Sequence, residues 1–125
     1  IQTLDDIKLM VNTFYGRIQK NEVLGPIFEE KLDGRWEQHL EKMYRFWQTV
    51  LLEEHTYAGR PFVTHAKLPI HQLHFDTWLT IWSSTVNDLF EGTKAEEAKW
   101  RGNKMAEMFL YKITYYQSNS SIPIL

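Results

Sequence analysis

The segment from Arg35 to about Leu52 constrains the fold most, because its two faces separate cleanly at the period of an α-helix. At about 100° per residue, its apolar side chains share one arc and its charged and amide side chains share the other. His39 lies within the apolar arc, on a face otherwise reserved for the interior. That apolar arc comprises Trp36, Leu40, Met43, Tyr44, Phe46, Trp47, Val50 and Leu51. Such a helix is stable only when this face is buried against other elements.

The same period recurs in other segments, and the alternation typical of strands fits nowhere for long. Helices are also predicted over about 5–21, 71–90 and 94–117, with a short helical turn at Ile27-Phe28 after Gly25-Pro26 and a short element at 62–67. Thr3 and Asp6 have the spacing of a capping box before the first helix. Gly102 lies on the apolar side of the last helix and permits close approach of a neighbour. We expect one all-α domain over residues 1–125, with a loose tail over 118–125.

Charge and composition exclude several classes of function. The chain has 14 basic and 16 acidic residues and no basic block, so it lacks the electrostatic footprint of a nucleic-acid-binding protein. It has no cysteine, which excludes disulfides and cysteine-ligated metals, and its six scattered glycines form no phosphate-binding loop. No apolar run reaches the roughly 20 residues needed to span a bilayer, and no leader pattern begins the chain. We therefore expect a cytoplasmic protein that does not bind membranes.

The aromatic content is unusually high for so short a chain. Five Trp, six Tyr and seven Phe make up 14% of 125 residues. Broad rings either fill a core or line a site for a flat ligand. The sequence leaves both explanations open at this point.

The histidines are the soft nitrogen ligands available to a metal. His71 and His74 have the spacing of a pair on one helix face, but no third ligand recurs at matching spacing, and the alternative is that His74 helps to start its helix. His39 is on a long helix, and His65 is in a short element 26 residues later. Each of these two can be an ordinary core-edge histidine, but the pair can also face each other across a gap. Such a gap, lined by Phe14, Met43, Phe46, Trp47 and Trp78, suits a porphyrin whose iron is held by one histidine.

Several local strings occur in a specific order and spacing along the chain. They are Phe14-Tyr15 with Leu24-Gly25-Pro26-Ile27-Phe28, Trp36-x-x-His39 with Phe46-Trp47, Tyr57-x-Gly59-x-Pro61 with His65-x-x-Leu68-Pro69, and His74-Phe75-x-x-Trp78-Leu79. Together they resemble the truncated haemoglobins, and within these the third group, over roughly Asp6 to Tyr116. The paired-glycine turns typical of the first two groups are missing. The resemblance implies a two-over-two helical sandwich around one haem b.

The resemblance also implies roles for individual residues. His65 would be the proximal ligand of the haem iron, and Tyr15, His39 and Trp78 would be the distal residues that meet a bound ligand. Lys42 matches a position where the family often places a cation near a haem propionate. The remaining cofactor-binding residues would be Phe14, Met43, Phe46, Trp47 and again Trp78.

The function implied by the resemblance is reversible binding of dioxygen, carbon monoxide or nitric oxide at a five-coordinate iron. Hydrogen bonds from the distal residues to a ligand that gains negative charge are worth about 1.5–3 kcal/mol. The first alternative is a haem enzyme that oxidises nitric oxide or reduces peroxide or oxygen, which requires an external electron donor. The remote alternative is a haem-free helical interaction domain whose aromatics are core. Enzymatic activity stays open at this stage.

Overall fold

Five α-helices form the part of the chain that the structure describes, residues 1–57 and 70–118, in a computed structural model. No strand occurs within these residues, and the predicted all-α class is confirmed. The short element predicted at 62–67 and the tail beyond Ser118 lie outside the described residues. The helices are α1 (Leu4–Lys20), α2 (Gly25–Leu32), α3 (Trp36–Leu52), α4 (Gln72–Leu89) and α5 (Thr93–Ser118).

The start of α1 confirms the predicted capping box. The backbone N–H of Asp6 donates to Thr3 Oγ1 at 3.2 Å, and the backbone N–H of Thr3 donates to Asp6 Oδ2 at 3.2 Å. The backbone N–H of Gln2 also donates to Asp6 Oδ2 at 2.7 Å. These bonds, with that from Gln2 the strongest influence, lower the pKa of the Asp6 carboxyl. The cap therefore satisfies amide groups that the first helical turn leaves without partners.

The second helix corrects one prediction. We expected Gly25 and Pro26 to interrupt the chain before a short turn at Ile27-Phe28, but the pair begins an eight-residue helix. Proline is well tolerated in the first helical turn, because its missing N–H would have no partner there. Asn21 Oδ1 accepts a hydrogen bond from the backbone N–H of Leu24 at 2.9 Å. This bond gives a partner to an amide group at the start of α2. The Gly-Pro pair marks a helix start here.

Helix α1 lies at the centre of the packing. It packs against α2, α3 and α4, and α4 packs along α5. Arg17 crosses from α1 to α4 with an ion pair to Asp88 at 2.9 Å and a hydrogen bond to Thr85 Oγ1 at 3.2 Å. The inward stripe of α1 is fully buried at Ile7, Met10, Val11, Phe14 and Ile18. The result is one helix pair, α1 and α3, laid over a second pair, α4 and α5.

The contact between α4 and α5 depends on Gly102. A Cβ atom added to this glycine would lie 2.6 Å from both Cδ1 and Nε1 of Trp82, closer than van der Waals contact allows. Trp82 is fully buried, and its Nε1 donates to the carbonyl of Ala98 on α5 at 3.0 Å. This confirms the predicted close approach at Gly102. It also fixes the Trp82 ring between the two helices.

We expect Gly102→Ala to destabilise the protein by up to roughly 2 kcal/mol. Overpacking against Trp82 costs about 1–3 kcal/mol, and alanine regains about 1 kcal/mol of helix propensity. Gly16→Ala is the matched control, since Gly16 is also inside a helix and nothing lies within 4 Å of its added Cβ. That variant is expected to be as stable as the parent or more stable. Urea unfolding of the two variants measures the difference, and equal stabilisation of both would contradict the close approach.

None of the helices within residues 1–57 and 70–118 is both long enough and apolar enough to cross a bilayer.

Candidate functional site

Tyr15 on α1 is surrounded by rings from the two following helices. Its ring centroid lies 4.9 Å from that of His39, 5.9 Å from that of Phe28 and 6.3 Å from that of Trp36, each in an edge-on arrangement. We call Tyr15, Phe28, Trp36 and His39 the tyrosine cluster. It brings two of the three predicted distal residues, Tyr15 and His39, into direct contact.

The position of Tyr15 follows from the α1 pattern. Tyr15 falls on the edge of the inward stripe, next to the fully buried Phe14, and 7% of its surface is exposed. Burial raises the pKa of its phenol well above the ordinary value. A phenol is protonated at neutral pH even at its ordinary pKa of about 10, so Tyr15 is a hydrogen-bond donor in an apolar setting.

His39 lies on the inner side of α3, as the helical pattern predicts. Its Nε2 atom is buried. Its ring faces Tyr15 at 4.9 Å, Phe28 at 6.3 Å and Trp36 at 6.5 Å between centroids. The imidazole is thus held among three aromatic rings from three helices.

A second group of rings continues from Phe14 into the contact between the helix pairs. Phe14 contacts Trp78 at 5.2 Å and Trp82 at 5.0 Å, and Trp82 stacks on Trp78 at 5.7 Å and on Trp47 at 4.6 Å. Phe46 meets Trp47 edge-on at 5.2 Å. We call Phe14, Phe46, Trp47, Trp78 and Trp82 the tryptophan cluster. Since Phe14 also contacts Tyr15 at 4.9 Å, the two clusters form one continuous set of rings.

The remaining predicted cofactor-binding residues have different environments. Met43 on α3 is half-buried against the main core. Lys42, the preceding residue, is exposed. His65, the predicted proximal ligand, lies outside the described residues. Within the described residues, the aromatic side chains predicted to bind the cofactor therefore lie next to Tyr15 and His39. The role of His65 as the proximal ligand stays a prediction.

The structure assigns His71 and His74 to the start of α4. The backbone N–H of His71 donates to His74 Nδ1 at 3.0 Å, and the two ring centroids are 4.4 Å apart. Burial, and then the neighbouring His71, lower the pKa of the His74 imidazole. The interpretation of His74 as a helix-starting residue is confirmed. Among the described residues, no three His, Cys, Asp or Glu side chains are placed to hold a metal ion together.

Three residues in these clusters were not predicted as site residues. Trp82 packs in the core, and its stack on Trp47 of α3 also links the two helix pairs. Phe28 and Trp36 complete the surroundings of His39. The spacing of Trp36 three residues before His39 is the signal that could have found it, because such residues are neighbours on a helix surface.

The chemistry of these side chains fits a flat apolar cofactor with a small polar ligand. The phenol of Tyr15, the imidazole of His39 and the indole N–H of Trp78 are polar groups set among aromatic rings. Rings offer broad apolar surface to a macrocycle, and the three polar groups offer hydrogen bonds to a ligand with little charge of its own.

Comparison with known proteins adds independent findings. A family model described as bacterial-like globin matches residues 3–111, which include every member of both clusters. The chain is 30% identical over 115 residues to the group 3 truncated hemoglobin of Campylobacter jejuni subsp. jejuni, with 86% of this chain and 91% of that protein covered. It is also similar to the crystal structure of the group III truncated hemoglobin from Campylobacter jejuni. That match has a TM-score of 0.82 and 26% identity, and it covers 90% of this chain and 92% of that one.

Proposed function

We propose, from the premise that this chain belongs to the bacterial-like globin family, that it holds one haem b and reversibly binds a diatomic ligand such as dioxygen. The resemblance to third-group truncated haemoglobins and the two-over-two fold it implies are confirmed by these relatives. The residue roles that follow are part of the proposal.

The observation that carries the proposal is the contact of Tyr15 and His39 at 4.9 Å beside the Phe14–Trp78 pair at 5.2 Å. This arrangement collects three candidate hydrogen-bonding groups around one aromatic surface. The ring of Tyr15 fills apolar space, and its hydroxyl is stabilised when it finds a hydrogen-bond partner in this setting. A polar ligand at the haem provides such a partner.

In the proposed site, His65 would hold the haem iron, and the ferrous haem would supply the reversible binding of a diatomic ligand. Tyr15 is protonated at neutral pH, as an ordinary phenol is, and burial raises its pKa further, so the hydroxyl can donate to the ligand. Trp78 offers its indole N–H from α4. Phe14 contacts the rings of both Tyr15 and Trp78 and so fixes their relative positions.

The other predicted residues hold the cofactor itself. Met43, Phe46 and Trp47 present apolar surface from α3 to the macrocycle and exclude water from it. The exposed ammonium group of Lys42 pairs with a haem propionate at the solvent edge. Haem packing thus uses one face of α3, and ligand binding uses α1 and α4 together with His39.

The same polar groups favour a second candidate, a haem enzyme that oxidises nitric oxide or reduces peroxide or oxygen. Tyr15 and Trp78 would then polarise the bound substrate, and an external electron donor would restore the ferrous state. Turnover with nitric oxide or peroxide that falls in a Tyr15→Phe variant would favour the enzyme. Negligible turnover in the parent protein would favour reversible binding of dioxygen, carbon monoxide or nitric oxide.

The absorption spectrum of the purified protein tests the proposal. We expect an intense Soret band, either as isolated or after addition of one equivalent of hemin, and a change of the band when carbon monoxide is added to the ferrous form. A colourless protein that takes up no hemin would leave the haem-free interaction domain as the function. The cytoplasmic location stays a prediction, which fractionation of the source cells checks.

A further inference from the structure

Thr49, near the end of α3, uses every hydrogen-bonding capacity of its hydroxyl. Its Oγ1 accepts the backbone N–H groups of Thr56 at 3.0 Å and of Tyr57 at 3.1 Å. Its O–H has two carbonyl acceptors within reach, that of Arg45 at 2.9 Å and that of Glu54 at 3.2 Å. A hydroxyl has one proton to donate and two lone pairs. Thr49 therefore ties the backbone that follows α3 to the helix.

These bonds differ from those of an ordinary helical threonine. The hydroxyls of Thr77 and Thr80 on α4 donate to the carbonyls of Leu73 and Asp76, one turn earlier in the same helix, at 2.8 and 2.9 Å. A carbonyl four residues back is the usual partner of a threonine inside a helix. The two N–H groups that Thr49 accepts come from seven and eight residues later in the chain. The additional bonds of Thr49 therefore stabilise the segment after α3.

The turn at the end of α3 needs this support. Glu53 ends the helix with a φ of 59°, in the left-handed region, where a residue other than glycine is strained. Gln48 adds bonds across the turn, because its side-chain oxygen accepts the hydroxyl of Thr56 at 2.9 Å and its amide nitrogen donates to Glu54 Oε2 at 3.4 Å. Gln48 is itself buried. Polar side chains of the last turns of α3 thus hold the chain in a conformation that it would otherwise leave easily.

The segment held in this way carries the ring of Tyr57. That ring meets Phe46 edge-on, with centroids 5.3 Å apart. Tyr57 is half-buried, and desolvation by burial raises the pKa of its phenol. Phe46 also contacts Trp47, the next residue of its own helix. Among residues 1–57 and 70–118, Tyr57 is therefore the ring from outside α3 that packs against Phe46.

We propose that Thr49 is a positioning residue for the cofactor wall, because it holds Tyr57 against Phe46 and so restrains a ring that α3 presents to haem. This inference rests on the proposed haem function, in which Phe46 belongs to that wall. Thr49 acts through Tyr57 and does not touch the cofactor. Release of Tyr57 frees the ring of Phe46 and speeds the loss of haem.

Transfer of haem to an excess of apomyoglobin measures the rate of haem loss in matched variants. Thr49→Val keeps the branched shape of the side chain and removes the hydroxyl. We expect it to lose haem roughly two- to tenfold faster than the parent, the range that one net hydrogen bond corresponds to. Thr49→Ser keeps the hydroxyl and is expected to stay close to the parent rate. Thr80→Val is the control, because Thr80 is exposed and its hydroxyl donates within its own helix.

A double-variant cycle tests whether Thr49 acts through Tyr57. Tyr57→Leu removes the ring that meets Phe46 and is expected to speed haem loss by itself. If Thr49 acts by holding that ring, Thr49→Val adds little to the rate in the Tyr57→Leu background. A merely structural role of Thr49 would have the same effect with or without the ring, and the two increases would then multiply.

A further readout reports the hydrogen bonds themselves and does not depend on haem. The backbone amides of Thr56 and Tyr57 are expected to exchange with water faster in Thr49→Val than in the parent, because both lose their acceptor. Thr49→Ser and Thr80→Val are expected to exchange at the parent rate. ¹⁵N-resolved hydrogen exchange of the carbon monoxide complex and of the haem-free protein measures these rates.

The outcomes separate the role of Thr49 from the haem function. A normal Soret band with parent-like haem loss in Thr49→Val would overturn the positioning role alone. A Thr49→Ser variant as fast as Thr49→Val would also overturn it, because loss of the hydroxyl would not be the cause. Multiplied effects in the double variant would have the same meaning. Absence of a Soret band in the parent, even after addition of hemin, would overturn the haem function and the positioning role together.

Discussion

Replacement of His65 by glycine is expected to abolish stable haem binding and with it the Soret band of the purified protein. In the proposed site this histidine provides the nitrogen that coordinates the iron, and imidazole is a favoured ligand for iron in proteins. Without it, apolar packing and the proposed pairing of Lys42 with a propionate would be left to retain the cofactor. Purification of the variant with excess hemin, followed by gel filtration and an absorption spectrum, measures the loss.

Rescue by free imidazole distinguishes loss of the ligand from loss of the fold. The glycine variant leaves room where the side chain was, so added imidazole is expected to restore the band. His71→Gly is the matched control, because His71 is exposed and its ring contacts His74 at the start of α4. A parent-like spectrum in His65→Gly, together with loss of the band in His71→Gly, would transfer the proximal role to His71.

Most of the helical fold could be predicted because the long helices carry wide apolar stripes. The four predicted long helices each begin and end within about one residue of the observed bounds, as at 35–52 against Trp36–Leu52. Helix α2 was the exception. With eight residues it shows too little of the helical period, and a Gly-Pro pair is compatible with a helix break and with a helix start. Local sequence alone does not separate these two uses of proline.

The candidate site could be predicted only in part, because the sequence pattern reports burial within one helix and does not report contacts between helices. A helical pattern tells which side of a helix is buried, so it correctly placed His39 on the inner side of α3. It does not tell which rings of different helices meet. The stack of Trp47 of α3 on Trp82 of α4, and the hydrogen bond from Trp36 to Glu29, join separate helices and depend on how these pack. The predicted distal roles came from the resemblance, and they stay predictions.

Tyr15→Phe is expected to raise the dissociation rate of dioxygen roughly ten- to a hundredfold. The substitution keeps the ring against Phe14 and His39 and removes only the hydroxyl that donates to the ligand. A hydrogen bond to a partly charged acceptor is worth about 1.5–3 kcal/mol, which corresponds to this range. Stopped-flow displacement of dioxygen by carbon monoxide measures the rate. Tyr111→Phe is the control, since Tyr111 is 74% exposed on α5 and belongs to neither cluster.

The comparison with carbon monoxide makes the Tyr15 prediction specific. Carbon monoxide gains less negative charge at ferrous iron than dioxygen does, so its dissociation rate is expected to change much less in Tyr15→Phe. A general loosening of the pocket would raise both rates alike. Equal increases for the two ligands would therefore show that Tyr15 acts by packing alone, and an unchanged dioxygen rate would leave Trp78 and His39 as the donors. A selective effect on dioxygen would identify the buried phenol as the main hydrogen-bond donor, because its ring contacts are the same in both complexes.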